Sequence, residues 1–322
     1  MTSFMRRHFK WYGRICKSSG LIIVHGPQTA DAGDDIKVSW NKLYLIYSVA
    51  CISVCAFVEI SYFYQIWLAV FVYSHVFTTS LYVVAYVICA IKVVLNVSLT
   101  FVNARCLQGI FKEASEYEQR VHFVAPKKQH MLTVTWCLIR PLLLAAFATN
   151  VCTSSYLSVE FVDDLSYGLV LSVTLKIAST AGNFLFYVFD VVHSLVLRPC
   201  CEVIQLYIRH QHDVLRSVVQ NTDNVSSEKR ARLIEMIRID LCTVSNLNHR
   251  LNQVWGCSIV ASGAQFVCVT CIGIYLSFVE EFSSSQHLLA MTCAITAGLD
   301  TLDIASLSDA MVTEVSHCYS ST

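Results

Sequence analysis

Six apolar stretches divide this sequence, and 20 of its 23 Lys and Arg residues fall ahead of the first stretch or in alternate gaps between the rest. A membrane-crossing helix needs about 20 mostly apolar residues. The stretches cover residues 43–64, 68–95, 131–152, 165–197, 254–278 and 288–307. Ahead of the first stand Arg6, Arg7, Lys10, Arg14, Lys17, Lys37 and Lys42. Between the second and third stand Arg105, Lys112, Arg120, Lys127 and Lys128. Between the fourth and fifth stand Arg198, Arg209, Arg216, Lys229, Arg230, Arg232, Arg238 and Arg250. The remaining gaps hold no Lys or Arg, only acids such as Glu160, Asp163, Asp164, Glu280 and Glu281. Cytoplasmic loops collect Lys and Arg, so the N-terminus is expected inside, and six spans return the C-terminus to the same side.

The expected fold class is therefore all-α, a polytopic transmembrane helical bundle with a cytoplasmic N-terminus. Only 14% of the 322 residues are charged, against about 25% in a soluble domain. The 15 cysteines sit mostly inside apolar runs, where they read as packing residues rather than a disulfide framework. The first residues are basic and polar, and the apolar patch at 21–24 is too short for a signal-peptide core. The first span is thus expected to act as an uncleaved anchor.

The expected parts are a cytoplasmic N-terminal segment (1–42) and spans one to four (43–197), with a helical connection at 96–130. A cytoplasmic helical anchor (198–253), spans five and six (254–308) and a tail (309–322) complete the chain. The connections at 101–121, 201–220 and 228–253 carry helical apolar spacing, with a polar turn at 221–227. Helices two and four are expected to extend into the cytoplasm, and a further helix leads back into span five. Spans two and four exceed the bilayer core, which implies tilt or extension beyond it. Pro141 is the expected kink site.

No phosphate loop, nucleophile elbow or zinc-spaced Cys/His set is present. No enzyme activity, cofactor, metal or nucleic-acid partner is expected. Cys268 and Cys271 have redox-like spacing, but a thiolate inside an apolar span is costly. Cys200 and Cys201 follow Pro199 just inside the membrane and are palmitoylation candidates. The sequons at Asn96 and Asn224 fall on the cytoplasmic side and are expected to stay unmodified.

Glu59, Lys92, Arg140, Lys176, Asp190, Asp300 and Asp303 lie within spans. Ionisable groups there face a partner or a cavity. Lys92, Asp190 and Asp303 lie near inner ends and are expected to snorkel or meet water. Arg140 or Lys176 is expected to pair with Asp300, or to serve in ligand recognition. The outward ends are aromatic, with Tyr62, Tyr64, Trp67, Tyr73, His75, Tyr156, Tyr167 and Tyr275. These form an interfacial belt, or else line an outward pocket for a small organic ligand.

In the segment from Arg198 to Phe278, Leu233, Leu241, Asn246, Leu247, Asn248 and Leu251 lead to Gly256 and a span that ends near Tyr275. This segment resembles the insect gustatory receptor family. The inside N-terminus, the helix after span two and the long basic loop after span four are similar to the family as well. The family carries a seventh span with a T-Y-x5-Q-F motif, and the sequence to Thr322 does not include it. The resemblance implies a ligand-gated cation channel subunit in the plasma membrane of chemosensory neurons, assembled as a homo- or hetero-tetramer. It also implies a small-molecule tastant as ligand, with membrane lipid around the chain. Trp67, Tyr73, His75, Tyr156, Tyr167, Lys176 and Tyr275 are the expected pocket residues. The odorant receptors of the same inverted topology, a secondary transporter and a membrane scaffold are the alternatives.

Overall fold

The computed structural model describes residues 3–21, 42–72, 76–124, 169–220, 226–278 and 284–320. Among these residues there are eight helices and no strand. They are α1 (Phe4–Ser18), α2 (Lys42–Val72), α3 (Val76–Val102), α4 (Ala104–Arg120), α5 (Leu169–Asp190), α6 (Val192–Gln220), α7 (Ser227–Ser277) and α8 (Ser284–Ser320). Four stretches within them are long and apolar enough to cross a membrane: Leu43–Tyr64, Val83–Val102, Ile177–Gln220 and Ser227–Tyr275. The chain therefore has the make-up of a helical membrane protein. The expected span at 131–152, with Pro141 in it, lies outside the described residues, and that at 288–307 lies within α8.

One face of α2 is apolar and exposed. Leu43, Phe57 and Ile60 are 76%, 69% and 67% exposed, an arrangement that needs hydrocarbon rather than water around it. The inner face of α2 packs on α5 and α3. Gly182 makes the α2–α5 crossing close, since a Cβ there would stand 2.6 Å from Val58 Cγ2. Tyr62 closes the same contact. Its hydroxyl meets the Ser179 hydroxyl and accepts from Asn183 Nδ2 at 3.1 Å.

α7 is the spine. It is one unbroken helix of 51 residues, about 76 Å at 1.5 Å per residue, and it touches α3, α4, α6 and α8. The boundary expected at 253/254 falls inside it, because the basic approach and the apolar span share one helical register. α3 and α4 are nearly continuous across Asn103, whose N–H reaches Leu99 O at 2.9 Å while its carbonyl accepts from Leu107 at 3.0 Å. α5 and α6 meet the same way at Val191. Pro199 sits inside α6, where it removes a ladder donor.

The densest packing lies where α1, α4, α6 and the first half of α7 meet. Phe9, Tyr12, Leu107, Ile110, Tyr117, Ile204, Tyr207, Leu247, Leu251 and Trp255 are all buried there. The helix α1 was not legible as an element from its basic composition. It forms because Met5, Phe9, Tyr12 and Cys16 recur at helical spacing and are 0–2% exposed.

Candidate functional site

A buried polar network joins four helices at the α5–α6 junction. α3 supplies Lys92 and Asn96, one turn apart on one face. α7 supplies Ser258, Ser262 and Gln265, again on one face. Asp190 and His193 flank the junction at Val191. Lys92 is 1% exposed and Asn96, His193 and Ser258 are fully buried.

Lys92 Nζ lies 3.1 Å from Asp190 Oδ1 and donates to Gln265 Oε1 at 2.6 Å. Gln265 Nε2 completes the triangle at 3.3 Å from the same Asp190 oxygen. A carboxylate and an ammonium are costly in this environment unless paired and hydrogen-bonded, and here they are both. Lys92 thus neither snorkels nor meets water, which corrects its sequence-based placement. The ammonium is held by a partner helix instead.

Asn96 explains the junction. Its Nδ2 donates to the carbonyls of Phe189 and Asp190 at 3.1 and 2.8 Å. In a continuous helix those carbonyls serve the N–H groups four residues on, so a side chain inserted there opens the ladder. Ser258 donates to Asn96 Oδ1 and so fixes which way the amide points. His193 Nδ1 lies 3.2 Å from Asp190 O, and because a carbonyl only accepts, that nitrogen carries a proton. Its Nε2 meets Ser262 Oγ at 3.0 Å.

A second charged chain lies where α1, α6 and α8 meet. His8 Nε2 is 2.8 Å from Glu202, Arg198 Nε donates to the same carboxylate at 3.0 Å, and Arg198 Nη1 reaches Asp303 at 2.5 Å. Asp303 pairs across helices and, with its side chain 34% exposed, also meets solvent as expected. The start of α1 is held by Glu118, 8% exposed, whose oxygens accept from Phe4 N at 2.6 Å and Met5 N at 2.9 Å. The Tyr207 hydroxyl donates to the same carboxylate. Orphan N–H groups and the positive helix end both favour an anion there. Nearby, burial pushes the Tyr117 hydroxyl up to about 12, opposed by the hydrogen bond from Gln211 Nε2.

Of the expected outer-pocket residues, only Trp67 and Tyr275 have described side chains. Trp67 is exposed and stacks on Phe63 at 6.3 Å, and Tyr275 meets Phe77 edge-on at 5.8 Å. Tyr73, His75, Tyr156, Tyr167 and Arg140 lie outside the described residues. Lys176 falls within α5, outside the described side chains. Asp300 is 4% exposed, and no pairing of it with Arg140 or Lys176 can be drawn. Cys200 and Cys201 are 1% and 2% exposed, which leaves their thiols no path to an acyl donor in this conformation. Asn96 Nδ2 is fully engaged, so that sequon is structurally occupied, while Asn224 lies outside the described residues. Among the described residues no group of three or more His, Cys, Asp or Glu is placed to hold a metal ion.

The sequence marked Asn96 only as a sequon and gave no role to His193, Ser258, Ser262, Gln265 and Glu118. The signal for three of them was present, since Ser258, Ser262 and Gln265 form a polar stripe of helical period inside an apolar run. Compared with models of known protein families and with curated proteins, the sequence matches none.

Proposed function

We propose that this chain is a chemoreceptor subunit of the gustatory receptor type, a ligand-gated cation channel component that detects small organic tastants. In this reading it crosses the plasma membrane of chemosensory neurons six times before any further span, with its N-terminus inside. The single observation that carries the reading is α7, whose 51 residues join a basic, helical cytoplasmic body to an aromatic outer end without a break. A ligand held among the outer ends would displace Tyr275 and, through one rigid helix, the cytoplasmic body. The alternation of basic and acidic gaps supports the orientation. The resemblance of residues 198–278 supports the family.

The test is electrical. Expressed with a seventh span of the family type appended, the chain should give a tastant-evoked cation current. The 322-residue chain by itself should give none, and current from it would sink this account of the pore. A secondary transporter is the second reading, favoured by the helix junction at Val191 beside the Lys92–Asp190 pair, since transporters place charges at interrupted helices. Substrate flux in proteoliposomes without channel current would decide for it.

A further inference from the structure

We propose that the outer face of α1 is a docking surface for anionic phospholipid headgroups of the leaflet that faces it. Arg7, Lys10, Arg14 and Lys17 are all exposed, and their 3-4-3 spacing sets them along one face of the helix. No acid occurs in residues 1–21, so α1 carries no anion of its own, and Arg14 also has a contact elsewhere in the protein. The apolar face of α1 is already spent on the protein, with Met5, Phe9, Tyr12 and Cys16 buried against α4 and α6. α1 is therefore not a helix waiting to sink into the bilayer. It is a fixed bracket that presents cations.

The bracket is also at the right height. Tyr44 donates to Lys17 O at 3.1 Å and to Leu21 O at 2.7 Å, and the Tyr47 and Ser48 hydroxyls reach Ser18 O and Gly20 O. Gly20, at φ +76°, packs so closely on α2 that a Cβ would stand 2.8 Å from Cys51 Cβ. The last turn of α1 is thereby tied to the first turns of a membrane-crossing helix, and Lys17 Nζ lies 6.0 Å from the Tyr44 ring centre. Arg7 lies ten residues earlier, about 15 Å along the axis. Phosphate and carboxylate groups at the bilayer surface are the anions within reach of such a stripe. Each cation near an anionic surface favours association by about fivefold, and added salt screens it.

That this leaflet is the cytoplasmic one rests on the orientation proposed above; the contact itself does not. The experiment uses the full chain in nanodiscs of phosphatidylcholine alone and of an equal mixture with phosphatidylserine, which present the same lipid on both faces. Hydrogen exchange of residues 3–21 should slow by about fivefold or more in the mixture, and the slowing should vanish in high salt. R7Q/K10Q/R14Q/K17Q, which spares the buried face and Glu118, should exchange alike in both discs. Equal wild-type exchange in the two lipids, or slowing retained by the variant, overturns the proposal. So does the same slowing by inorganic phosphate in neutral discs, which would mark a site for a soluble anion. If the variant releases α1 even in neutral discs, spin-labelled lipids on the wild-type chain decide. Immobilised phosphatidylserine in excess over phosphatidylcholine, lost in high salt, supports the surface, and equal immobilisation overturns it. A reporter glycan at the N-terminus tests the orientation separately.

Discussion

Lys92 and Asp190 face each other with side chains only 2% and 13% exposed. Removing one partner leaves the other charge uncompensated, so Lys92→Met should cost about 3–5 kcal/mol, read as a lowered thermal midpoint in detergent. Lys92→Met with Asp190→Leu should return most of that loss, because a well-packed apolar pair replaces a buried ion pair at little net cost. Glu118 is a different case. Glu118→Gln keeps one acceptor but gives up the charge and one oxygen, so α1 should lose about 1–3 kcal/mol of anchoring, visible as faster exchange at the Phe4 and Met5 amides. Tyr117 sets an alkaline limit. Its folded value stands above the ordinary tyrosine value of about 10, so its contribution is complete below that pH and fades as pH rises towards about 12. Tyr117→Phe should flatten stability over that window. At this scale the sequence marked Lys92, Asp190 and Asp303 as charges in costly places. It did not show their partners, because pairing depends on which helices are neighbours, and nothing in a run of apolar residues encodes that.

Among elements, the crossings decide more than the helices do. The α2–α5 contact closes over Gly182, so Gly182→Ala should destabilise by about 1–3 kcal/mol through overpacking against Val58. Adding Val58→Ala should relieve the strain, and thermal unfolding of the two variants makes the comparison. The apolar runs and the helical connections were legible because periodicity survives in them. The near-continuity of α3 with α4, and of α6 beyond the bilayer, follows from the same periodicity. Two element-level features were not legible. α1 hid behind a basic composition although its buried positions keep helical spacing. The junction at Val191 has no Gly or Pro beside it, because its cause is Asn96 on another helix.

Across the whole molecule, α7 ties the membrane bundle to the body formed with α1, α4 and α6, so the two halves share one spine. The contacts that hold α1 come from far along the chain. Phe4 bonds to Glu118, 114 residues away, and His8 to Glu202, 194 residues away. A ribosome adds roughly 5–20 residues per second, so α1 waits on the order of 10–40 seconds for Glu202 to be made. Until α6 is made, that face packs only on α4. The seating of α1 therefore cannot be finished before the middle of the chain has been made, and a firmly held α1 reports that α4 and α6 are already in place.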